Sequence, residues 1–513
     1  MNSGMIAQII MILIFFAVTI GIGIYCRKKA TNVGDFVLGG REVGPWLTAF
    51  AYGTSYFSAV VFIGYAGQFG WQFGMAATWI GIGNALVGSL LAWVVLGRRT
   101  RVMTKHLNSS TMPEFFARRY NSRALKLFAS VVIFIFLIPY SASIYKGLSG
   151  LFEIAFNIDF NICLIIMAVI TGIYVVVGGY MATAINDFVQ GIIMLIGIVA
   201  VIAAVLRVNG GFTDTVVLLS QFAADNNPSF HGAYTSMFGP SFTDLLSVFI
   251  LTSVGTWGLP QMVHKFYAIK SEKAIHTGTI ISTLFALVIA GGSYFLGGFG
   301  RLFYTPDASG AVKYDRIVPG MLETSLGPIM IGIVLILVLS ASMSTLSSLV
   351  ITSSSTVILD FINAFRKKDK SEKRKKQDLL FIRIMCALFV ALSVIIAIIP
   401  NQLITALMSL SWGALAGAFL GPLFYGLFWK RTTKGSVWAC MIVGILIVVV
   451  NYFGGFVSPL MAGAISILMS FVTVPVVSLF TPKMSYDYVN IVFSCYDEKV
   501  TTEAKTVLVE EEF

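Results

Sequence analysis

Charge is what this chain has least of. Of its 513 residues only 12% are Asp, Glu, Lys or Arg, where a soluble domain carries about 25%. With 57% apolar residues and a mean hydropathy of +0.86, a soluble globular protein is excluded and an integral membrane protein is implied. Cysteine is also scarce. Cys26, Cys163, Cys386, Cys440 and Cys495 are scattered, with no CxxC spacing, which argues against a disulfide framework or a structural metal. The four histidines, His106, His231, His264 and His276, are dispersed and read as loop or helix-end residues. No P-loop, HExxH or Ser-His-Asp arrangement occurs, so nothing in the chain looks like an enzyme. The net charge of +11 does not imply nucleic acid, because the basic residues sit in short loops between apolar runs.

Apolar runs are what the chain has in abundance. A spanning helix needs about 20 apolar residues. That criterion predicts an all-α polytopic membrane protein with about thirteen spans, near 4–25, 43–70, 77–97, 124–153, 160–179, 184–206, 243–268, 274–299, 326–362, 379–399, 402–428, 436–453 and 459–480. The first run precedes Arg27-Lys28-Lys29 rather than following a basic stretch, so it reads as a retained helix and not a signal peptide. Basic residues cluster at 27–29, 98–101, 265–273, 366–376 and 430–434, alternating with basic-poor segments at 207–242 and 300–325. The positive-inside rule places the basic set in the cytoplasm, the N-terminus outside and the C-terminus inside. The run 366–376 reads as a topology determinant rather than a lipid site, and the polar tail 481–513 as a flexible cytoplasmic appendage.

Against this apolar background one segment is rich in hydroxyls: "SASMSTLSSLVITSSST", Ser340–Thr356. A hydroxyl in hydrocarbon costs free energy unless it is paired. Residues three and four apart share a helix face, so Ser340, Ser344, Ser347 and Ser348 form a stripe, with Thr345 beside it. Tight packing through small residues would account for an isolated serine pair, but not for this density. A partner is available in "AFAYGTSYFSAVVFIGYAG", Ala49–Gly67, where Gly53, Thr54, Ser55 and Ser58 interrupt an apolar span. Unwinding there would free the carbonyls of Thr54 and Phe57. Irregular backbone at membrane depth is tolerated only where it lines a cavity, and broken helices coordinate sodium in transporters. Neutral oxygens suit a hard monovalent cation.

Charged and aromatic residues inside spans complete the candidates. Asp187 lies near the start of an apolar span; it is either a helix N-terminal charge favoured by the dipole or a group for ion binding or gating. Lys146 either snorkels to the outer interface or meets a substrate carboxylate, with Tyr140 about two turns deeper in the same cavity. Trp257 belongs to a Gly/Pro-interrupted span, which points to a binding region or to packing.

Three stretches, "GDFVLGGREVGPWLTAFAYGTS" (Gly34–Ser55), "VVVGGYMATAINDFVQGIIM" (Val175–Met194) and "ASMSTLSS" (Ala341–Ser348), resemble the sodium/solute symporter family. That family includes bacterial proline, pantothenate and sialic acid transporters and sodium/glucose cotransporters. The resemblance implies a five-plus-five inverted-repeat core of the leucine-transporter type. Repeat 1 would be 43–206 and repeat 2 243–428, with the first helix and loop (1–42) before them, an extracellular loop (207–242) between, and two further helices (429–480) and the tail after. It implies a first sodium site of the Thr54, Phe57 and Ala341 carbonyls with the Ser344 and Thr345 hydroxyls. A second sodium would use Asp187, Ser344, Ser347 and Ser348. Solute would lie at Tyr56, Ser58, Tyr140, Lys146 and Trp257. The chain departs from the proline transporters, which have Asp at Tyr56, Trp at Val60, and Trp and Tyr at Thr252 and Thr256, so proline is not the expected solute. The expectation is sodium-coupled import of a small polar organic solute across the plasma membrane, with Na+ as coupling ion and no organic cofactor. A proton-coupled or uncoupled transporter and a non-transporting sensor are the alternatives.

Overall fold

The computed structural model describes residues 3–26, 33–41, 43–156, 158–225, 227–306, 310–366, 372–399 and 403–496. Arg27–Lys29, residues 367–371 of the basic run, Asn401 and the tail beyond 496 lie outside the described residues. Among the described residues the architecture is helical, apart from a hairpin in which Ala223–Ala224 pairs antiparallel with Asn227–His231.

Among the described residues ten helices are long and apolar enough to cross a membrane, or eleven if the bent pair Phe242–Gly258 and Pro260–Ala268, inclined at 44°, counts as one span. The expected spans that do not stand alone are broken ones. The span near 43–70 is divided: Pro45–Tyr56 is 12 residues long, and the part from Val60 continues past Gly74 (φ 59°) to His106. The span near 160–179 is short, Phe160–Ile173, and ends before Gly179, where φ is +62°. The ring of Phe36 would lie 2.8 Å from a Cβ at that glycine, so both the turn and its packing require Gly.

The hydroxyl-rich helix, Pro328–Thr356, runs through the interior of the bundle. It packs against Phe160–Val208, Arg123–Phe156 and Ser3–Cys26. Every residue from Leu337 to Thr356 is buried, as expected of a helix enclosed on all sides. Its hydroxyls therefore meet protein and not lipid. Elsewhere backbones touch: a Cβ at Gly70 would lie 2.0 Å from the Gly297 carbonyl, and one at Gly297 would lie 2.0 Å from the Ala66 carbonyl oxygen. The segment Ala66–Phe73 is thus in main-chain contact with Gly292–Gly297.

Two expectations need correction. The segment after 480 is not simply a flexible appendage, because Tyr486–Phe493 is a helix with Val489, Val492 and Phe493 buried. Arg119 lies 4.9 Å from the Phe493 ring centroid, and Tyr496 OH donates to the Arg99 carbonyl (3.2 Å). Apolar side chains in a polar-looking tail give it a surface to dock with. Lys265, assigned above to a cytoplasmic loop, lies within the helix Pro260–Ala268 and is buried.

Candidate ion and solute site

The break in the first interrupted helix falls at Phe57 and Ser58. Pro45, at the first helical turn, starts the first half after an extended Gly44, a position that suits proline. The helix runs through Gly53 to Tyr56 and ends at Phe57, whose backbone is extended (φ −111°, ψ 122°). Gly53 is therefore not the hinge. Its lack of a side chain serves packing, since a Cβ there would lie 2.4 Å from the ring of Phe285. Ser58 opens the next half: its Oγ accepts from Val60 N (3.3 Å), and its carbonyl accepts from Val61 N and Phe62 N.

Ending the helix at Tyr56 frees the Thr54 carbonyl from its usual helical partner four residues on. It accepts instead from Ser344 Oγ (2.9 Å) and Thr345 Oγ1 (3.2 Å). Both hydroxyls also reach the Ala341 carbonyl, at 3.2 and 3.0 Å. Four neutral oxygens thus converge where the break meets the hydroxyl helix. Phe57 and Ala341 line one small cavity of about 10 Å3 beside them. Ser342 Oγ accepts from Ala59 N (3.3 Å), a further tie across the same joint.

The four residues offered for a second sodium do not gather in this way. Ser347 Oγ donates to the Ser344 carbonyl (2.8 Å) within its own helix. Ser348 Oγ bonds Ser55 Oγ (2.8 Å) and accepts from Lys265 Nζ (2.9 Å). Asp187 faces that lysine, with Oδ2 3.9 Å from Nζ, and both side chains are buried. Lys265 is the residue that sequence reasoning missed here. Its signal was its position, near the end of an otherwise apolar segment that had also been counted as part of a span.

The matched region is extensive. Residues 36–444 fit the model of the sodium:solute symporter family. The chain belongs to that family. It is 31% identical over 446 residues to sodium/proline symporter 2 of Staphylococcus saprophyticus subsp. saprophyticus, covering 86% of this chain and 85% of that one. It has the same identity and coverage with a sodium/proline symporter of Staphylococcus aureus. Among solved structures, a Na+-coupled sialic acid symporter in a substrate-bound outward-open state matches with a TM-score of 0.77 at 18% identity, covering 93% of this chain and 99% of that one. A nucleobase-cation-symport-1 family transporter matches with a TM-score of 0.51 at 14% identity, covering 89% and 97%. At those identities the two structures bear on the fold alone. As a sodium:solute symporter the protein is a multi-pass membrane transporter and not an enzyme, with Na+ as its coupling ion and a small-molecule solute as its cargo.

Of the five solute candidates in this symporter, three lie together. Tyr56 stacks on Phe57 (ring centroids 4.4 Å apart) and faces Trp412 at 6.0 Å; its hydroxyl donates to the Thr252 carbonyl. Tyr140 meets Trp412 edge-on at 5.7 Å, and Ser58 sits at the break. Trp412, which sequence reasoning missed, joins them; nothing in its run of apolar residues marks it. Tyr140 OH lies beside Trp412 and Ser58, and Tyr65 OH beside Ser409, but Tyr140 OH, Trp412 Nε1 and Tyr65 OH, all buried, make no well-formed hydrogen bond among the described residues. Lys146 and Trp257 lie elsewhere. Lys146 donates to the Ile399 carbonyl (2.6 Å) and lines a cavity of about 390 Å3 with Glu153, Asp315 and Arg316. The Trp257 indole donates to the Val87 carbonyl (2.9 Å), so it braces its bent span.

Proposed function

We propose that this symporter couples sodium bound by the Thr54, Phe57 and Ala341 carbonyls and the Ser344 and Thr345 hydroxyls to import of a small polar organic solute held at Tyr56, Ser58, Tyr140 and Trp412. The observation that carries the reading is the Thr54 carbonyl, released by the break and met by two hydroxyls. A hard cation at that joint takes neutral oxygens from both elements, and so favours the arrangement in which the two halves and the hydroxyl helix are closed on one another. The weakly bonded groups near the break are two phenol hydroxyls and an indole N–H, which suits a polar solute able to accept hydrogen bonds, such as a carboxylate or amide. Transport then follows if ion and solute stabilise the same state.

The wider frame of this proposal is thirteen spans with inverted repeats at 43–206 and 243–428, the N-terminus outside and the C-terminus in the cytoplasm, in the plasma membrane. Relatives named sodium/proline symporters make proline the first probe. Tyr56, Val60, Thr252 and Thr256 depart from the proline pattern and predict weak proline binding. A proton-coupled mechanism would rest on Asp187, whose carboxylate is instead set against Lys265; this favours sodium. The test is a thermal-shift screen of the purified protein against amino acids and small carboxylates, with sodium or with N-methyl-D-glucamine. A ligand of the native state raises apparent stability. The reading expects a solute whose shift requires sodium; equal shifts in both media would remove it.

A further inference from the structure

Lys265 stands where three elements of the bundle meet. Its ammonium donates to Ser348 Oγ at 2.9 Å and faces Asp187 Oδ2 at 3.9 Å. The ring of Tyr180 lies 5.1 Å from Nζ. Ser55, from the first half of the broken helix, bonds the same Ser348 hydroxyl at 2.8 Å. Through Nζ the bent span is hydrogen-bonded to the hydroxyl helix and faces the Asp187 carboxylate as an ion pair without a hydrogen bond, with the broken helix joined through Ser348. The surrounding space, lined by Tyr180, Thr183, Gln261 and His264 among others, has no room for a water-sized sphere.

Charge decides what this cluster accepts. Asp187 brings one negative charge and Lys265 one positive, so the pair is neutral as it stands. A sodium ion touching Asp187 would lie close to the ammonium and leave a net positive charge in a dry interior, where like charges repel strongly. An ammonium with three donors supplies what a bound cation supplies: charge for the carboxylate and a contact for the serine hydroxyl.

We propose that the Lys265 ammonium is a tethered cation in the place of a second sodium, so that this symporter binds one sodium ion per chain. The proposal rests on the reading of Thr54, Ala341, Ser344 and Thr345 as the first ion site. The joint at Ser348 is then fastened permanently, while the joint at Thr54 is fastened only when an ion arrives.

Equilibrium binding of radioactive sodium to the purified full-length protein tests this, with N-methyl-D-glucamine holding ionic strength constant. The wild type is expected to bind one sodium per chain with a Hill coefficient of about 1; Asp187→Asn, destabilised because Lys265 loses its counter-charge, is expected to keep that one in its folded, monodisperse fraction. Lys265→Met removes the tethered charge but leaves the carboxylate. It is expected to bind two, and to gain thermal stability with sodium more steeply than the wild type. The second ion should vanish in Lys265→Met/Asp187→Asn. Two ions per wild-type chain, one of them lost in Asp187→Asn, would overturn the proposal, as would a monodisperse Lys265→Met that still binds one. Should Lys265→Met not yield folded protein, the wild-type count and Lys265→Gln decide by the same criteria. No sodium bound by the wild type would instead strike at the first-site reading, so the two failures are distinct.

Discussion

The hydroxyl helix makes two joints, about one turn apart, and they are built on opposite principles. At Ser344 and Thr345 it meets the broken helix through neutral oxygens alone. At Ser348 it meets a lysine that is set against a buried carboxylate. The first joint has acceptors to spare and lacks a charge. The second holds both signs of charge already. A joint that lacks its cation can respond to one, whereas a joint that owns its cation cannot. Under the two proposals made above, sodium sensitivity belongs to the joint at Thr54 and constitutive fastening to the joint at Lys265.

The largest expected effect tests the charged joint. Asp187→Ala leaves the Lys265 ammonium buried and unpaired, which costs about 3–5 kcal/mol. It should show as a lower Tm and poor recovery of folded protein. Adding Lys265→Met should restore most of the loss; a double variant no more stable than the single one would mean that the pair is not the fastening. Next comes the neutral joint. Ser344→Ala or Thr345→Ala removes one oxygen from the ion, worth about 1.5–3 kcal/mol by analogy with hydrogen bonds to charged groups. The sodium concentration for half-maximal uptake in proteoliposomes should then rise about 10- to 100-fold, with protein level unchanged. Unchanged sodium dependence would shift the ion away from this joint.

Smaller effects sharpen the comparison by probing what supports each joint. Gly53→Leu drives a side chain into Phe285 and should cost about 1–3 kcal/mol by overpacking, read as a Tm shift. If Gly53 were instead the hinge, transport rate would change and Tm would not. Trp257→Phe removes the indole bond to Val87 from the span that carries Lys265. It should cost about 1 kcal/mol and leave the KM for solute within about twofold, whereas Trp412→Phe should raise it. An equal rise in KM for both would return Trp257 to the solute site.

The neutral joint was legible in the sequence because its signals are local. A run of hydroxyls at helical spacing and a polar interruption in an apolar span are each visible within about twenty residues. The position of the break was less legible. Gly53 looked like the weak point by intrinsic propensity, yet helix packing against Phe285 keeps it helical and moves the break to Phe57. The charged joint could not be read, because a single lysine near the end of a span carries no local signal that it turns inward to face Asp187. Lys265 also lies near a cluster of basic residues, which invited a topological reading. The span count was hard for the same reason as the break: a composition window cannot see a bend at Gly179 or between Gly258 and Pro260.

The contact between Gly70 and Gly297 bears on how the broken helix moves. Bare main chain on both sides leaves no side chain to act as a bearing, so Ala66–Phe73 cannot swing away from Gly292–Gly297 without opening a gap. Flexing at Phe57 would therefore carry both segments together, like a door that travels with its frame.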